Sequence, residues 1–472
     1  SLHLGDTAAT AKTAEQLMAI VVCLIAGMGA GAALFAVLRA WEKKSYPAGI
    51  IMGVLTGMTV LFITHSLNQS VAVNPITDSL WILLAFLIWG AAFGWAHARL
   101  SATDAGGMTD QAEGGEVAQV DRRRFIIRLG GATAVITVVG AGVGALVGNK
   151  QGRGVAESKR QLADTPLPNA DALVKPAPGT RQELTPLENH YRIDINTIPP
   201  AIREENWRLK IDGLVENTLE LKLEELRRYE PLEQFITLSC ISNPVGGDLI
   251  GSALWTGVSL KRLLPDLKLK DTATHLKISS ADGFYEIVAL DTIKSDERVM
   301  LCYAWDGVPL LAEHGFPLRI YIPDHYGMKQ PKWIEAIEAI DHAEDGYWVA
   351  RGWDREARMK ATSVIDTIAV DMMVGQANQN TLVPVGGISH AGARGISKVE
   401  VRVDDGEWRE AQLRTPLSNL TWVVWRYDWP FQKGKHTFTV RCYDGGGTPQ
   451  IAEEAPPHPS GASGLHSKPA ML

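Results

Sequence analysis

Hydrophobic and polar positions divide the chain in two. Over the first 150 residues they form long uniform runs, and beyond that point they break into short stretches that alternate. Residues 16–38, 80–96 and 129–148 contain no charged side chain, and residues 48–67 carry only His65. A helix of 20 residues is about 30 Å long, the thickness of a bilayer's hydrocarbon core, so the pattern predicts four transmembrane helices. Lysine and arginine crowd the first connection (Arg39, Lys43, Lys44) and the third (Arg99, Arg122, Arg123, Arg124, Arg128), while residues 68–79 have none. Basic loops stay in the cytoplasm. The expectation is a multi-pass protein of the cytoplasmic membrane, embedded in the lipid bilayer, with everything after Lys150 on the extracytoplasmic side.

Residues 151–180 hold Pro166, Pro168, Pro176 and Pro178 among small and polar residues, which is linker composition. In residues 181–360 short strand-like runs mix with helical pieces. Residues 207–213 alternate and end in a turn, 219–229 read as a short charged helix, and 316–323 form a strand bounded by prolines. That mixture predicts an α+β domain with an antiparallel or mixed sheet. Residues 361–472 read as all-β: 397–403 and 437–443 alternate, Asp405 and Gly406 supply a hairpin turn, and 422–429 form an aromatic strand stopped by Pro430. An immunoglobulin-like sandwich is expected there. The domains expected are thus a four-helix anchor over 1–150, a linker over 151–180, a catalytic domain over 181–360 and the sandwich over 361–472.

The net charge of −7 gives no reason to expect a nucleic-acid partner. The four cysteines, Cys23, Cys240, Cys302 and Cys442, form no paired motif, so neither a zinc ribbon nor a covalently attached haem is encoded. Cys23, Cys302 and Cys442 sit in apolar or strand-like surroundings and read as small core or lipid-facing residues. No glycine-rich phosphate loop occurs. His65 and His97 would lie at opposite ends of their expected helices, too far apart to share one haem iron.

Cys240 stands apart. Apolar residues 235–238 deliver it into a turn of Ser, Asn, Pro and Gly, after which a second apolar run begins. A thiolate held there suits a nucleophile or a metal ligand. Three other segments carry further chemistry. Residues 184–194 contain Tyr191 and Arg192, residues 280–285 place Asp282 just before Phe284 and Tyr285, and residues 314–319 read His-Gly-Phe-Pro-Leu-Arg, with Lys332 and Trp333 following. In order and spacing, these segments and the Cys240 loop resemble the sulfite oxidase family of molybdenum enzymes. The resemblance runs from about residue 184 to residue 465.

It implies a sulfite-oxidase-type molybdopterin domain, with Cys240 as the protein ligand to molybdenum. Tyr191, Arg192, Asp282, His314, Arg319, Gln330 and Lys332 would contact the cofactor, and Trp255 and Tyr285 would join Cys240 at the catalytic centre. The residue types suit the ligand: arginine offers planar paired donors to a phosphate, lysine a point charge, and His314 and Asp282 can pair with a pterin edge. The family's second domain, which dimerises, would be the C-terminal sandwich. His458 and His466 are lone loop histidines and read as structural.

Residues 121–131 also resemble a twin-arginine export signal, a route suited to a protein that folds around its cofactor before it crosses. Two departures bear on the substrate. Five residues after the metal cysteine, where sulfite oxidases carry an arginine, stands Val245, and the family's active-site tyrosine falls on Phe284 or Tyr285. Loss of that guanidinium weakens the case for sulfite. The sequence thus reads as a membrane-anchored molybdenum oxidoreductase catalysing two-electron oxo transfer. Its electron partner would be an external cytochrome or a quinone-linked complex, and the chain would work as a homodimer or within a membrane complex. The rival reading is a structural subunit of such a complex that keeps the fold without turnover.

Overall fold

The computed structural model describes residues 45–67, 83–84, 86–91, 94, 166–196, 199–369 and 381–472. The described residues up to 94 lie in one compact unit and those from 166 onward in another, and each is taken by itself.

In the first unit the helix Ser45–Leu67 covers the second charge-free run. It makes a close approach through its glycines: a Cβ added at Gly49 would lie 2.4 Å from the Gly90 carbonyl, and one at Gly53 would lie 2.4 Å from that of Phe86. Thr56 Oγ1 donates back to the Met52 carbonyl at 2.8 Å. Among the described residues no helix is long and apolar enough to cross a membrane. The four-helix transmembrane anchor and the multi-pass membrane location are corrected accordingly. The expectation rested on missing charge, which by itself does not set the length and apolarity of the helix that forms. Residues 16–38 and 129–148, most of 80–96, the arginines at 122–124 and His97 lie outside the described residues.

The second unit is built mostly of strands, which also corrects the expected balance of helix and sheet. Its longest helix among the described residues, Leu260–Leu267, has 8 residues. The stretch 219–229, expected to be one helix, divides into a strand, Leu219–Leu221, and a single helical turn, Leu223–Leu226. Its pattern at 219–221 is strand-like because Leu209, Lys210 and Ile211 pair with it antiparallel.

Five strands form a mixed sheet in the order Leu219–Leu221, Leu209–Gly213, Ile334–Ile340, His275–Ser280, Tyr285–Ala289. Only the Leu209–Gly213 and Ile334–Ile340 pair is parallel. One face buries Leu209, Ile211, Leu276, Ile278, Ile334 and Ile337 against Leu260, Leu263, Leu264 and Leu267. Those four leucines stand at i, i+3, i+4 and i+7, one stripe of the short helix. Each fully buried leucine contributes roughly 1.5–3 kcal/mol, which offsets the poor intrinsic stability of so short a helix.

A second, antiparallel sheet runs Leu232–Ser239, Ile250–Ser259, Met300–Trp305, Val308–Pro309, with Arg319–Tyr321 added beside Met300–Trp305. The proline-bounded stretch 316–323 therefore contributes three strand residues, because proline has no N–H to give a ladder.

The C-terminal part holds two four-stranded antiparallel sheets. One runs Thr362–Ile368, Leu382–His390, Val423–Pro430, Gln412–Leu413; the other runs Arg409–Glu410, Ile396–Val403, Lys435–Asp444, His466–Met471. Val383, Val385, Val399, Val401, Trp425, Phe438 and Val440 fill the space between them. This part also covers the free edge of the second sheet: Thr237 N donates to Leu420 O at 3.0 Å, and Trp422 N donates to Thr237 Oγ1 at 2.9 Å. Bonding an exposed edge strand in this way protects it from pairing elsewhere, and it fixes the strand that leads to Cys240.

Candidate active site

Cys240 is the first residue after the strand Leu232–Ser239. Its loop is tied at both ends. Cys240 N donates to Leu249 O at 2.9 Å, Asn243 N to Cys240 O at 3.2 Å, and Leu249 N to Asn243 Oδ1 at 3.0 Å. The thiol is buried and lies 3.0 Å from Ser242 Oγ. Burial pushes its pKa up, while hydrogen bonds from Ser242 and Ile241 and the nearby Lys332 ammonium pull it back. The loop thus holds one sulfur at the wall of a cleft lined also by Ser242, Met328 and Trp348. Cys302 and Cys442 are buried in strands away from this cleft, as expected.

Tyr191, Asp282, His314, Arg319, Gln330 and Lys332 line the same cleft. Sequence separations of up to 141 positions collapse onto one wall because the segment at 190–195, the turn at 282 and the stretch 314–333 all border the two sheets. Tyr191 is boxed in by Gly327, where any Cβ would lie 2.8 Å from the phenol oxygen. Burial, then the neighbouring Cys240, raises its pKa.

Arg319 carries the cleft's deepest charge. Its guanidinium packs 4.8 Å from the ring of Trp255 and 5.1 Å from that of Trp305, and Nη1 donates to His314 O at 3.0 Å. Burial brings its pKa down to about 10, so it stays charged. Its buried Nε has no hydrogen-bond partner in the protein, and neither has the buried Gln330 Oε1. Gln330 is otherwise anchored through Nε2 to Ile322 O at 3.3 Å and His325 O at 3.0 Å.

Lys332 Nζ pairs with Asp194 and donates to Glu313 O at 3.0 Å. Burial lowers its pKa to about 8, against the pull of Asp194, so the ammonium persists at neutral pH. Arg192 pairs with the same carboxylate. His190 and His314, with rings 5.6 Å apart, are driven down to about 3 and about 2, first by burial, and both are neutral. Asp282, half hidden in its turn, accepts from Phe284 N at 3.0 Å and is shifted upward by burial.

Three expected residues stand back, the first being Arg192, which pairs with Asp194 and does not line the cleft. Trp255 is fully buried beneath Arg319 and does not line the cleft. Tyr285 points elsewhere, toward Lys277 and Tyr347, while Phe284 forms part of the wall. Val245 also lies outside the cleft, in a separate recess with Glu454 and His466.

Sequence reasoning missed the acid that organises the cations. Asp194 stands two residues after Arg192, a local signal, but its pairing with Lys332 joins positions 138 apart. It also missed Glu286 and Lys329, a buried pair at 2.6 Å. The Glu286 carboxyl is pushed up by burial and held back by Lys329. A carboxyl whose folded pKa lies above its unfolded value costs stability at higher pH, and the cost fades as pH falls through the folded pKa. Lys329→Met should therefore destabilise the protein by about 3 kcal/mol at pH 7.5, since it strands a buried charge, and by much less near pH 5. Urea unfolding at the two pH values checks this; an equal loss at both would mean that the charge of Glu286 is not the cause.

Among the described residues no group of three His, Cys, Asp or Glu side chains is placed to hold a metal ion. The cleft instead offers one thiol, two buried cations, neutral imidazoles and two unpaired polar atoms. That donor set suits an anionic organic ligand with its own metal-binding atoms.

Comparison with known proteins agrees. Residues 196–348 match the oxidoreductase molybdopterin binding domain. Sulfite oxidase of Arabidopsis thaliana is 25% identical over 274 residues, 48% of this chain and 70% of that protein. The NADPH nitrate reductase of Fusarium oxysporum is 26% identical over 49% of this chain and 31% of its own length. Mitochondrial sulfite oxidase of Rattus norvegicus is 24% identical over 49% of this chain and 50% of its own. The chain thus spans half or less of the latter two. Among solved structures, the sulfane dehydrogenase SoxCD from Paracoccus pantotrophus superposes with a TM-score of 0.54 at 18% identity, covering 63% of this chain and 86% of that one. That likeness is one of fold.

Proposed function

We propose that the chain, a molybdopterin-dependent oxidoreductase with a molybdenum–molybdopterin cofactor, is of the sulfite oxidase type, that Cys240 is the protein's ligand to the metal and that two-electron oxo transfer takes place beside it. The observation that carries this is the convergence of Cys240 with Arg319, Lys332 and Gln330 on one cleft. The residues present fit the cofactor: the unpaired Arg319 Nε and Gln330 Oε1 are a donor and an acceptor that a polar ligand would satisfy.

When bound, the cofactor supplies the redox metal and its oxygen-exchanging position. The protein's part is to bind and orient. Arg319 and Lys332, with Arg192 behind Asp194, offset the ligand's negative charge. Tyr191, His314, Asp282 and Gln330 pair with its polar edges, and the neutral imidazoles add no further positive charge. Trp255 acts through Arg319, whose guanidinium it holds in place by a cation–π contact. Phe284, and not Tyr285, is the aromatic wall of that turn.

Electrons go to or come from an external carrier, because the sequence encodes no haem-attachment motif of its own. In the C-terminal part the first, second, sixth and fifth strands share one sheet and the fourth, third, seventh and eighth the other, an arrangement that supports reading it as an immunoglobulin-type sandwich with one added strand. Metal and pterin analysis tests the reading. Protein made with cofactor available should carry about one molybdenum and one pterin per chain, and a chain without either would instead be the structural subunit.

A further inference from the structure

Resting on the reading that the Cys240 cleft holds the cofactor, we propose that the buried Glu286–Lys329 ion pair is a positioning device, which sets the turn at 327–330 and acts on the ligand through Gln330. Residues 327–329 form one tight helical turn, and its side chains part. Met328 and Gln330 line the cleft with Gly327, whereas Lys329 lines a separate recess. There its Nζ meets Glu286 Oε1 at 2.6 Å, and the same oxygen accepts from Ile287 N at 2.9 Å. Glu286 stands in the strand Tyr285–Ala289 of the mixed sheet, so the pair ties the turn to a rigid element.

A second segment closes on the same carboxylate. A Cβ added at Gly346 would lie 2.2 Å from Glu286 Oε1, so only a residue without one leaves room. Tyr347 N then donates to Tyr285 O at 3.0 Å, and Trp348 reaches the cleft wall, where it packs against the cluster that contains Met328. The titratable and charged groups that share the recess with Lys329 are His275, His325, Glu344, Arg355 and Glu356. Arg355 favours the ionised form of Glu286, as Lys329 does.

One tight helical turn has little stability of its own, and apolar packing has no direction. An ion pair has one, because the ammonium must meet the carboxylate at hydrogen-bond distance and angle. Stability alone does not explain the pair. Glu286 Oε2 is buried without a hydrogen-bond partner in the protein, a cost that two apolar side chains would avoid. What the pair fixes is the residue next along the chain. Gln330 is held from one side by Nε2, which donates to Ile322 O and His325 O, and its Oε1 has no partner in the protein. His325 is fixed in turn by Nδ1, which donates to Pro323 O at 2.7 Å, and burial lowers its pKa. An acceptor so held keeps its place for the cofactor's polar edge only while the turn beneath it stays in register.

The test separates position from stability in the cofactor-loaded full chain. Glu286→Gln combined with Lys329→Met removes both charges and strands neither, so urea unfolding should stay near that of the wild type. Release of pterin, followed by fluorescence after gel filtration at successive times, should be about tenfold faster, the worth of one neutral hydrogen bond. Gln330→Ala should speed release by a similar factor, and adding it to the charge-free pair should change little more, since both act through one contact. Gly346→Ala displaces the carboxylate without altering any charge, and supplies the same readout should the paired variant fold poorly. Release at the wild-type rate from these variants, factors that multiply when Gln330→Ala is added, or faster release that only tracks lost urea stability would overturn the inference. Wild-type protein that carries no pterin would overturn the cofactor reading beneath it instead.

Discussion

Cys240→Ser should abolish turnover while leaving the protein folded and its pterin bound. The substitution keeps the size and the buried position of the side chain but replaces a soft sulfur donor by a hydroxyl that ionises only at far higher pH. A high-valent metal already bound through sulfur favours the thiolate. The fold has little to lose: the thiol's contact is with Ser242 Oγ at 3.0 Å, and the loop is held by backbone and Asn243 bonds that serine does not touch. Urea unfolding and pterin content should match the wild type, while the molybdenum spectrum shifts and activity disappears. Turnover that survives would remove Cys240 from the metal.

Arg319→Ala or Lys332→Ala should lower cofactor occupancy. Each removes a buried positive donor from an anionic ligand, and one charged hydrogen bond is worth about 1.5–3 kcal/mol, about 10- to 150-fold in affinity. The two variants should differ in their side effects. Removing Arg319 also empties the space between Trp255 and Trp305 and leaves the His314 carbonyl without its donor, so thermal stability falls as well. Removing Lys332 leaves Asp194 with Arg192 as its partner, and the main loss appears in pterin retention. Arg319→Lys keeps the charge but not the planar fork, and should hold an intermediate amount. Full pterin content in both alanine variants, measured after gel filtration, would mean that neither cation faces the cofactor.

The site was legible from the sequence where one segment contains its own signal. A thiol delivered by an apolar run into a Gly-rich turn, a His-Gly-Phe-Pro-x-Arg stretch and a Lys-Trp pair are local patterns, and the structure brings Cys240, His314, Arg319 and Lys332 to one cleft. The alternation at 397–403 and 437–443 likewise marked strands that do form. Charge-free runs misled, because the lack of an ionised group does not by itself make a spanning helix, and no described helix is long and apolar enough to cross a membrane.

By itself, then, the sequence determined the type of chemistry and the residues able to carry it, since thiolate, guanidinium and ammonium are properties of side chains. Only the tertiary structure decided which of them face the cleft. The turn at 282–285 aims Phe284 inward and Tyr285 outward, because neighbouring residues entering a strand point to opposite faces. Trp255 lies under Arg319 because its strand is interior to the second sheet. Asp194 meets Lys332, and Glu286 meets Lys329, across distances along the chain that no local pattern encodes. Such pairs form because burying either charge alone costs more than burying the two together, and that comparison exists only once the chain has folded.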